Sequence, residues 1–216
     1  MSKKLIDKGS RSDRWYLKLM APNTKGGRFA WLDPTSIYIN GDAFHDLLDD
    51  LVEDLSGVEI DVVAGLDAMG FVLASGLATR LGVGCLPIRK AGKLCVETDS
   101  VPFTNYSGRT QKLELRLPAF RERTRVLLVD QWIETGGTMG AAIELVERQG
   151  GIVAGFCAIA IERNKATDTL KKKYFNTAAV VPDSYWYNEC NKQYLESFGN
   201  YEPEMAFPSI RTSKRG

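Results

Sequence analysis

Arg125-Val126-Leu127-Leu128-Val129-Asp130-Gln131-Trp132-Ile133-Glu134-Thr135-Gly136-Gly137-Thr138-Met139 is the stretch around which the chain is organised. Val126 to Val129 is a continuous apolar run ended by an acid, the pattern of a strand buried on both faces. Glu134 to Thr138 is a Gly-Gly loop flanked by threonines. Met139 to Gln149 predicts an amphipathic helix with Ala142, Ile143, Leu145 and Val146 on its apolar side. Strand, glycine-rich loop and helix, in that order, present backbone N–H groups to a phosphate. The glycines permit close approach, the helix N-terminus adds partial positive charge, and threonine hydroxyls supply further hydrogen bonds. An acid at the strand end stands at the carboxyl edge of a sheet, where α/β folds bind ligands.

Outward from this stretch the chain alternates strand and helix. Ile60 to Ala64 reads as a strand closed by Gly65, and Phe71 to Leu81 as a helix stopped by Gly82. Cys85 to Ile88 is a strand. Lys93 to Val96 and Leu113 to Leu117 read as strands flanking a loop, Glu97 to Gln111. Ile152 to Ile161 is a long apolar strand, Thr167 to Tyr174 a helix, and Ala178 to Val181 a last core strand. Upstream, a helix starts at Gly41-Asp42, with Asp42 as its expected N-cap and Ala43, Leu47, Leu48, Leu51, Val52 and Leu55 at helical spacing. Trp15 to Met20 is a short strand or helix. This alternation implies right-handed β-α-β crossovers and a mostly parallel sheet. The expected division is an N-terminal segment over 1–40, a core over 41–181 and an aromatic-rich C-terminal segment over 182–216, packed and not a free tail.

Composition narrows the function. A chain of 216 residues holds one sizeable domain with an appendage. Hydrophobic content of 44% and charged content of 25% are those of a soluble globular protein. A net charge of +1 gives no global field for nucleic acid or an anionic membrane. No apolar run approaches the roughly 20 residues that span a bilayer. Met1 to Arg14 lacks the apolar core of a secretory signal. Cys85, Cys95, Cys157 and Cys190 show no C-x-x-C spacing, and with one histidine in the chain they argue against zinc. They read as reduced thiols of a cytoplasmic protein. His45, alone on a helix, receives no catalytic role.

The organising stretch resembles the phosphoribosyl-pyrophosphate (PRPP) motif of the type I phosphoribosyltransferases. That resemblance implies that Asp130 holds ribose hydroxyls and that Glu134, Thr135, Gly136, Gly137 and Thr138 cradle the 5′-phosphate. Gln131 stands where the family has a second acid. Gly65-Leu66-Asp67-Ala68-Met69-Gly70-Phe71 is a second strand-loop-helix unit, similar to the pyrophosphate loop of adenine phosphoribosyltransferases. Met69 replaces its arginine, removing a bidentate phosphate contact and a full charge. Ile88-Arg89-Lys90-Ala91-Gly92-Lys93-Leu94 is similar to a third segment of the same family and points to Lys90 and Lys93 for the pyrophosphate. The resemblance covers residues 27–173.

The rest of the site follows from the same resemblance. Thr98 to Lys112 looks like the flexible loop that closes over PRPP and excludes water, bringing Tyr106, Arg109 and Lys112 toward the reaction. Asn105 takes the place of the glutamate that handles the proton on the base; an amide is no general base, and Glu97 or Glu114 are the substitutes at hand. Phe29, Trp31 and Arg163 are the expected base-binding residues; Trp31 and Arg163 read equally as hood core and surface charge.

The implied fold is α/β, a Rossmann-like core with a mostly parallel sheet, a small hood built from the N-terminal segment, and a flexible loop. The implied function is transfer of 5-phosphoribosyl from PRPP to a purine base, adenine first, with Mg²⁺ bridging substrate oxygens. The implied assembly is a homodimer. Two other readings fit the same residues. One is a catalytically impaired PRPP or nucleotide sensor, motivated by Met69, Gln131 and Asn105. The other is a related transferase with another base or sugar-phosphate donor.

Overall fold

The computed structural model describes residues 15–22, 32–104, 108–180 and 203–207. They fall into two units. The described residues of 15–47 and 203–207 form the first. It holds a 3-10 helix, Trp15–Leu19, and two short antiparallel strands, β1 (Ala21–Pro22) and β2 (Leu32–Asp33). Helix α1 (Thr35–Ile39), the start of α2 (Gly41–Asp54) and a helical turn, Pro203–Ala206, complete it. Trp15, Tyr16, Leu19, Met20, Ile37, Ala43 and Leu47 are among its buried apolar residues. The N-cap of α2 is Asn40, not Asp42. The helix already begins at Gly41, so the residue before it is the one whose side chain reaches back-facing N–H groups. Asn40 Oδ1 accepts from the N–H groups of Asp42 and Ala43, both at 3.1 Å. Its Nδ2 donates to the Met205 carbonyl at 2.5 Å.

The described residues of 48–180 form the second unit, around a sheet. Its strands are β3 (Val62–Leu66), β4 (Gly84–Lys90), β5 (Thr98–Thr104), β6 (Thr110–Arg116), β7 (Arg125–Val129), β8 (Trp132–Ile133), β9 (Ile152–Ile161) and β10 (Asn176–Val180). Its helices are α3 (Gly70–Leu81), α4 (Gly137–Arg148) and α5 (Lys165–Lys173). The strand order is β10-β9-β7-β3-β4-β6-β5, with β8 alongside β9. From β10 to β4 every pairing is parallel; β6 and β5 add an antiparallel edge. The chain leaves β3 toward β4 and returns to β7 on its other side. The order therefore reverses between β3 and β7, which opens a crevice beyond their carboxyl ends.

Packing follows the sequence pattern. Val126 to Val129 are fully buried, because β7 lies between β3 and β9 with helices over the sheet. Met139, Ala142, Ile143, Leu145 and Val146 of α4 join Leu128, Phe156 and Ala158 in one core. Gly82 ends α3 with φ +69°, the conformation a glycine stop supplies. At the other edge of β7, Arg125 holds Asp61 through two guanidinium bonds of 2.9 and 2.6 Å, which fixes the strand's start.

Three of the differences between the sequence expectations and the structure in this unit have a clear physical cause. β3 runs to Leu66, through Gly65, because Gly65 must pack under α3: a Cβ there would lie 2.8 Å from Ala74 Cβ. Lys93 to Val96 is not a strand, and most of the expected loop is. β5 and β6 pair over seven residues from Thr98↔Arg116 to Thr104↔Thr110. Val101 and Phe103 point inward while Pro102 and Thr104 are exposed, a strict alternation. Pro102 is tolerated because β5 is the edge strand. Finally, α4 begins two residues before Met139, so the second glycine of the loop is the first residue of the helix.

Candidate active site

β7 delivers Asp130 to the crevice. Its carboxylate accepts the Gln131 N–H at 2.8 Å. Burial pushes that carboxyl up to about 7, against the Gln131 N–H and the positive charge of Lys90, which both pull it down. Lys90, at the end of β4, thus shares a site with Asp130. The Gln131 carbonyl accepts from Ile159 N–H at 3.0 Å, which carries the chain from β7 onto the flank of β9. Gln131 Oε1 is buried and has no hydrogen-bond partner among the described residues. Such an acceptor is costly unless a ligand hydroxyl or amine meets it.

The loop into α4 is built for an anion. Gly136 has φ +80°, which a side chain would strain. Gly137 lies against the edge hairpin, where a Cβ would stand 2.5 Å from the Thr104 carbonyl oxygen. Among the described residues no side chain caps α4, and the Gly137 N–H meets Thr135 Oγ1 at 3.4 Å. Its first-turn N–H groups are therefore directed at the crevice. Helix α5 is the contrast. Asn164 Oδ1 accepts from Ala166 and Thr167 N–H, and the Asn164 N–H returns to Thr167 Oγ1, a complete capping box.

The second loop, after β3, meets the first. A Cβ on Gly70 would lie 2.6 Å from the Val129 carbonyl and 3.1 Å from Asp130 Cα. Only glycine lets α3 begin directly on the end of β7. Asp67 Oδ2 accepts from Arg89 Nε at 3.2 Å and from the Lys90 N–H at 3.4 Å. The Asp67–Ala68 peptide is cis. Ala68 is exposed, and Met69 is half-buried where α3 starts. The Arg89 guanidinium also stands 5.8 Å over the Phe71 ring. Arg89 is the residue that sequence reasoning passed over in favour of Lys90 and Lys93. Its signal was available: it precedes Lys90 on the same strand and is the one arginine of that segment.

Lys93 is exposed, and its backbone, not its side chain, is held in place. Buried Glu114 accepts the N–H groups of Gly92, Lys93 and Leu94 at 2.9, 2.7 and 2.7 Å. Burial would raise its carboxyl, but those three N–H groups and the Thr98 hydroxyl outweigh it and hold the group below the usual range. Glu114 is thus the anchor of the basic turn and not a substitute base. Arg109 is exposed just before β6. Asn105 and Tyr106 lie outside the described residues, as do Phe29 and Trp31. Arg163 is exposed at the β9–α5 corner and pairs with Asp168 at 3.7 Å. Beside it Glu162 is buried and accepts Trp132 Nε1 at 2.9 Å.

Two glycine-rich loops at the carboxyl ends of adjacent parallel strands, one leading into an uncapped helix and one held by Arg89 of β4, have the chemistry to accept a ligand with phosphates at both ends. The model of the phosphoribosyl transferase domain matches residues 36–190. The chain belongs to this family. An adenine phosphoribosyltransferase of Chloroflexus aurantiacus is 43% identical over 122 residues, 56% of this chain and 70% of that protein. One of Thermobifida fusca is 42% identical over 127 residues, 59% and 72% of the two chains. The crystal structure of the adenine phosphoribosyltransferase of Thermoanaerobacter pseudethanolicus superimposes with a TM-score of 0.69 at 31% identity, covering 78% of this chain and 98% of that one. That of Saccharomyces cerevisiae, complexed with an imino-altritol bisphosphate and adenine, gives 0.64 at 29%, covering 76% and 98%. The mixed, mostly parallel sheet is thus that of a phosphoribosyltransferase. No helix among the described residues is long and apolar enough to cross a membrane.

Proposed function

We propose that this phosphoribosyltransferase acts in purine salvage, transferring 5-phosphoribosyl from PRPP to adenine and releasing pyrophosphate, as a cytoplasmic homodimer. The observation that carries the reading is the contact of Gly70 with Val129 and Asp130, which joins two anion-binding loops around one carboxylate. Thr135 to Thr138 hold the 5′-phosphate, Asp130 and Gln131 the ribose hydroxyls, and Asp67 to Met69 with Arg89 and Lys90 the pyrophosphate. The ring nitrogen of the base attacks C1 as the C1–O bond to pyrophosphate breaks, and the proton on that nitrogen leaves to the released pyrophosphate or to solvent. The chain's part is to hold both partners in line and to stabilise the leaving charge. Closure of the β5–β6 hairpin would exclude water from the cationic sugar.

Mg²⁺ fits this site only in one way. No group of three His, Cys, Asp or Glu side chains among the described residues could hold a metal ion. Mg²⁺ commonly takes one or two carboxylates and completes its shell with substrate phosphates and water. Asp130 is the carboxylate in place, so the ion would arrive with PRPP and neutralise diphosphate charge.

The test is pyrophosphate release by the full chain with PRPP, Mg²⁺ and a panel of bases. Adenine-dependent release is the expected result. PRPP binding without release for any base would replace this reading with a nucleotide sensor, and release with a different base alone would replace adenine.

Met69 leaves the pyrophosphate loop short of one cation, and Arg89 on β4, bonded to Asp67 of that loop, is a nearer substitute than Arg109 before β6. A charged hydrogen bond contributes about 1.5–3 kcal/mol. Arg89→Ala should therefore weaken PRPP binding on the order of ten- to a hundredfold and leave binding of AMP, which lacks the pyrophosphate, nearly unaltered. Titration calorimetry with both ligands checks this. An equal loss for AMP and PRPP would mean that Arg89 serves only to hold Asp67, and a larger loss in Arg109→Ala would hand the role to the hairpin.

A further inference from the structure

We infer that Asn164 positions the phosphate-binding loop, and that its amide N–H, acting through the Glu134 carbonyl, sets how tightly the 5′-phosphate is held; this rests on the reading of that loop proposed above. Asn164 Nδ2 donates to the Glu134 carbonyl at 2.7 Å. Its Oδ1 accepts two N–H groups of α5, each at 3.0 Å. Two donors face one atom and a carbonyl faces the other, so chemistry fixes which is oxygen. One side chain therefore caps α5 and ties down the residue immediately before Thr135.

The loop needs such a tie. Two adjacent glycines have the largest backbone freedom to lose, and no side chain caps α4 from within the loop. What surrounds them is the β9–α5 corner. A Cβ on Gly136 would lie 3.4 Å from Thr167 Cγ2 and 3.5 Å from Leu170 Cδ1, so the loop rests on the first turns of α5. Thr167 is fully buried, and its hydroxyl donates to the Glu162 carbonyl at 2.7 Å. The Glu162 carboxylate in turn holds Trp132, upstream of the loop. The corner grips the segment at Trp132, at Glu134 and at Gly136. The Ile133 carbonyl also accepts the Glu162 N–H at 2.8 Å, and Asn164 to Glu134 is the side-chain hydrogen bond to the backbone next to the phosphate cradle.

Asn164→Asp separates the two jobs. The aspartate keeps the acceptor that caps α5, but it has no N–H for the Glu134 carbonyl and sets two oxygens against each other. Asn164→Ala removes both. We expect thermal unfolding of the aspartate variant near wild type and that of the alanine variant lowered. We expect the dissociation constant for ribose 5-phosphate and the KM for PRPP to rise about tenfold in the aspartate variant, the equivalent of a lost hydrogen bond to a carbonyl, with kcat and the KM for adenine within about twofold. Wild-type affinity for ribose 5-phosphate in Asn164→Asp would overturn the inference. So would equal loss of thermal stability in both variants with kcat and both KM values unchanged, which is the signature of a cap alone. If the wild type binds neither ribose 5-phosphate nor PRPP, the reading of the loop fails first and this inference with it.

Discussion

A valine at position 137 should abolish binding of ribose 5-phosphate compounds and leave the fold standing. The Cβ of any side chain at Gly137 would lie 2.5 Å from the Thr104 carbonyl oxygen and 3.6 Å from Thr135 Oγ1. The nearest obstacle is backbone, so it yields only if the loop or the hairpin moves. The φ at Gly137 is not the difficulty; the space is. Moving the loop by even a few tenths of an ångström takes the first-turn N–H groups off a bound phosphate. Each charge-assisted bond contributes about 1.5–3 kcal/mol, so losing two lowers affinity by at least about a hundredfold. The fold has a cheaper escape. Thr104 ends an edge strand, and Gly137 is the first residue of α4, outside the buried run from Met139 to Val146. Overpacking there should cost about 1–3 kcal/mol of stability. Calorimetry with AMP and ribose 5-phosphate reads the first effect, and thermal unfolding reads the second. Unchanged AMP affinity in Gly137→Val would show that the phosphate sits elsewhere.

That the strand, glycine loop and helix were readable in the sequence, and the hairpin was not, has a physical reason. The run from Arg125 to Met139 carries its own instructions: a strand apolar at every position, a glycine pair, then helical periodicity. Those features are local, and the structure places β7, the loop and α4 where they fall. The hairpin is defined by partners. Val101 and Phe103 alternate with polar residues over too few positions to outweigh Pro102 and the turn formers nearby, and the pairing that makes them a strand is with residues 110–116. Lys93 to Val96 misled in the opposite sense. Its apolar-polar pattern is that of a strand, yet Glu114, distant in sequence, collects its N–H groups one by one.

The same distinction separates the residues of the site. Asp130 and Gly137 could be named from sequence because the motif fixes both identity and place. Arg89 stood in plain view beside Lys90, but its bond to Asp67, like that of Asn164 to Glu134, joins residues more than 20 apart and leaves no mark in the sequence. The substitution at Asn105 drew attention to Glu114 as a replacement base, and burial under three N–H groups rules that out. Long-range hydrogen bonds leave no trace in periodicity, so a sequence reading finds the groups that touch the ligand before those that hold them.

Asp130→Asn should give a protein that is more stable above neutral pH and inactive. Folded Asp130 titrates at about 7, raised first by burial. An unfolded aspartate titrates near 3.9. Between these values the folded state binds more protons than the unfolded one, so stability falls as pH rises from about 4 to about 7, and the full penalty is present above that. Asparagine cannot ionise and keeps an oxygen for the Gln131 N–H. At pH 8 the variant should therefore gain about 2–4 kcal/mol over the wild type, and at pH 4 next to nothing. Ligand binding runs the other way. The ionised carboxylate is the better acceptor for ribose hydroxyls, so wild-type affinity for ribose 5-phosphate should rise with pH through about 7 and level off. The variant should keep only the rise at about pH 6 that comes from ionisation of the ligand's own phosphate, and should lose about a hundredfold or more in kcat/KM. Gln131 belongs to the same account. A second carboxylate beside a buried one would push one of the two higher still, and an amide there leaves Asp130 to titrate alone. Denaturant unfolding of both proteins at pH 4 and pH 8, with calorimetry across that range, measures all of this. No gain in stability at pH 8 would mean that Asp130 is solvated and ordinary, and a rise in affinity centred at about pH 7 that survives in Asp130→Asn would place the titrating group elsewhere.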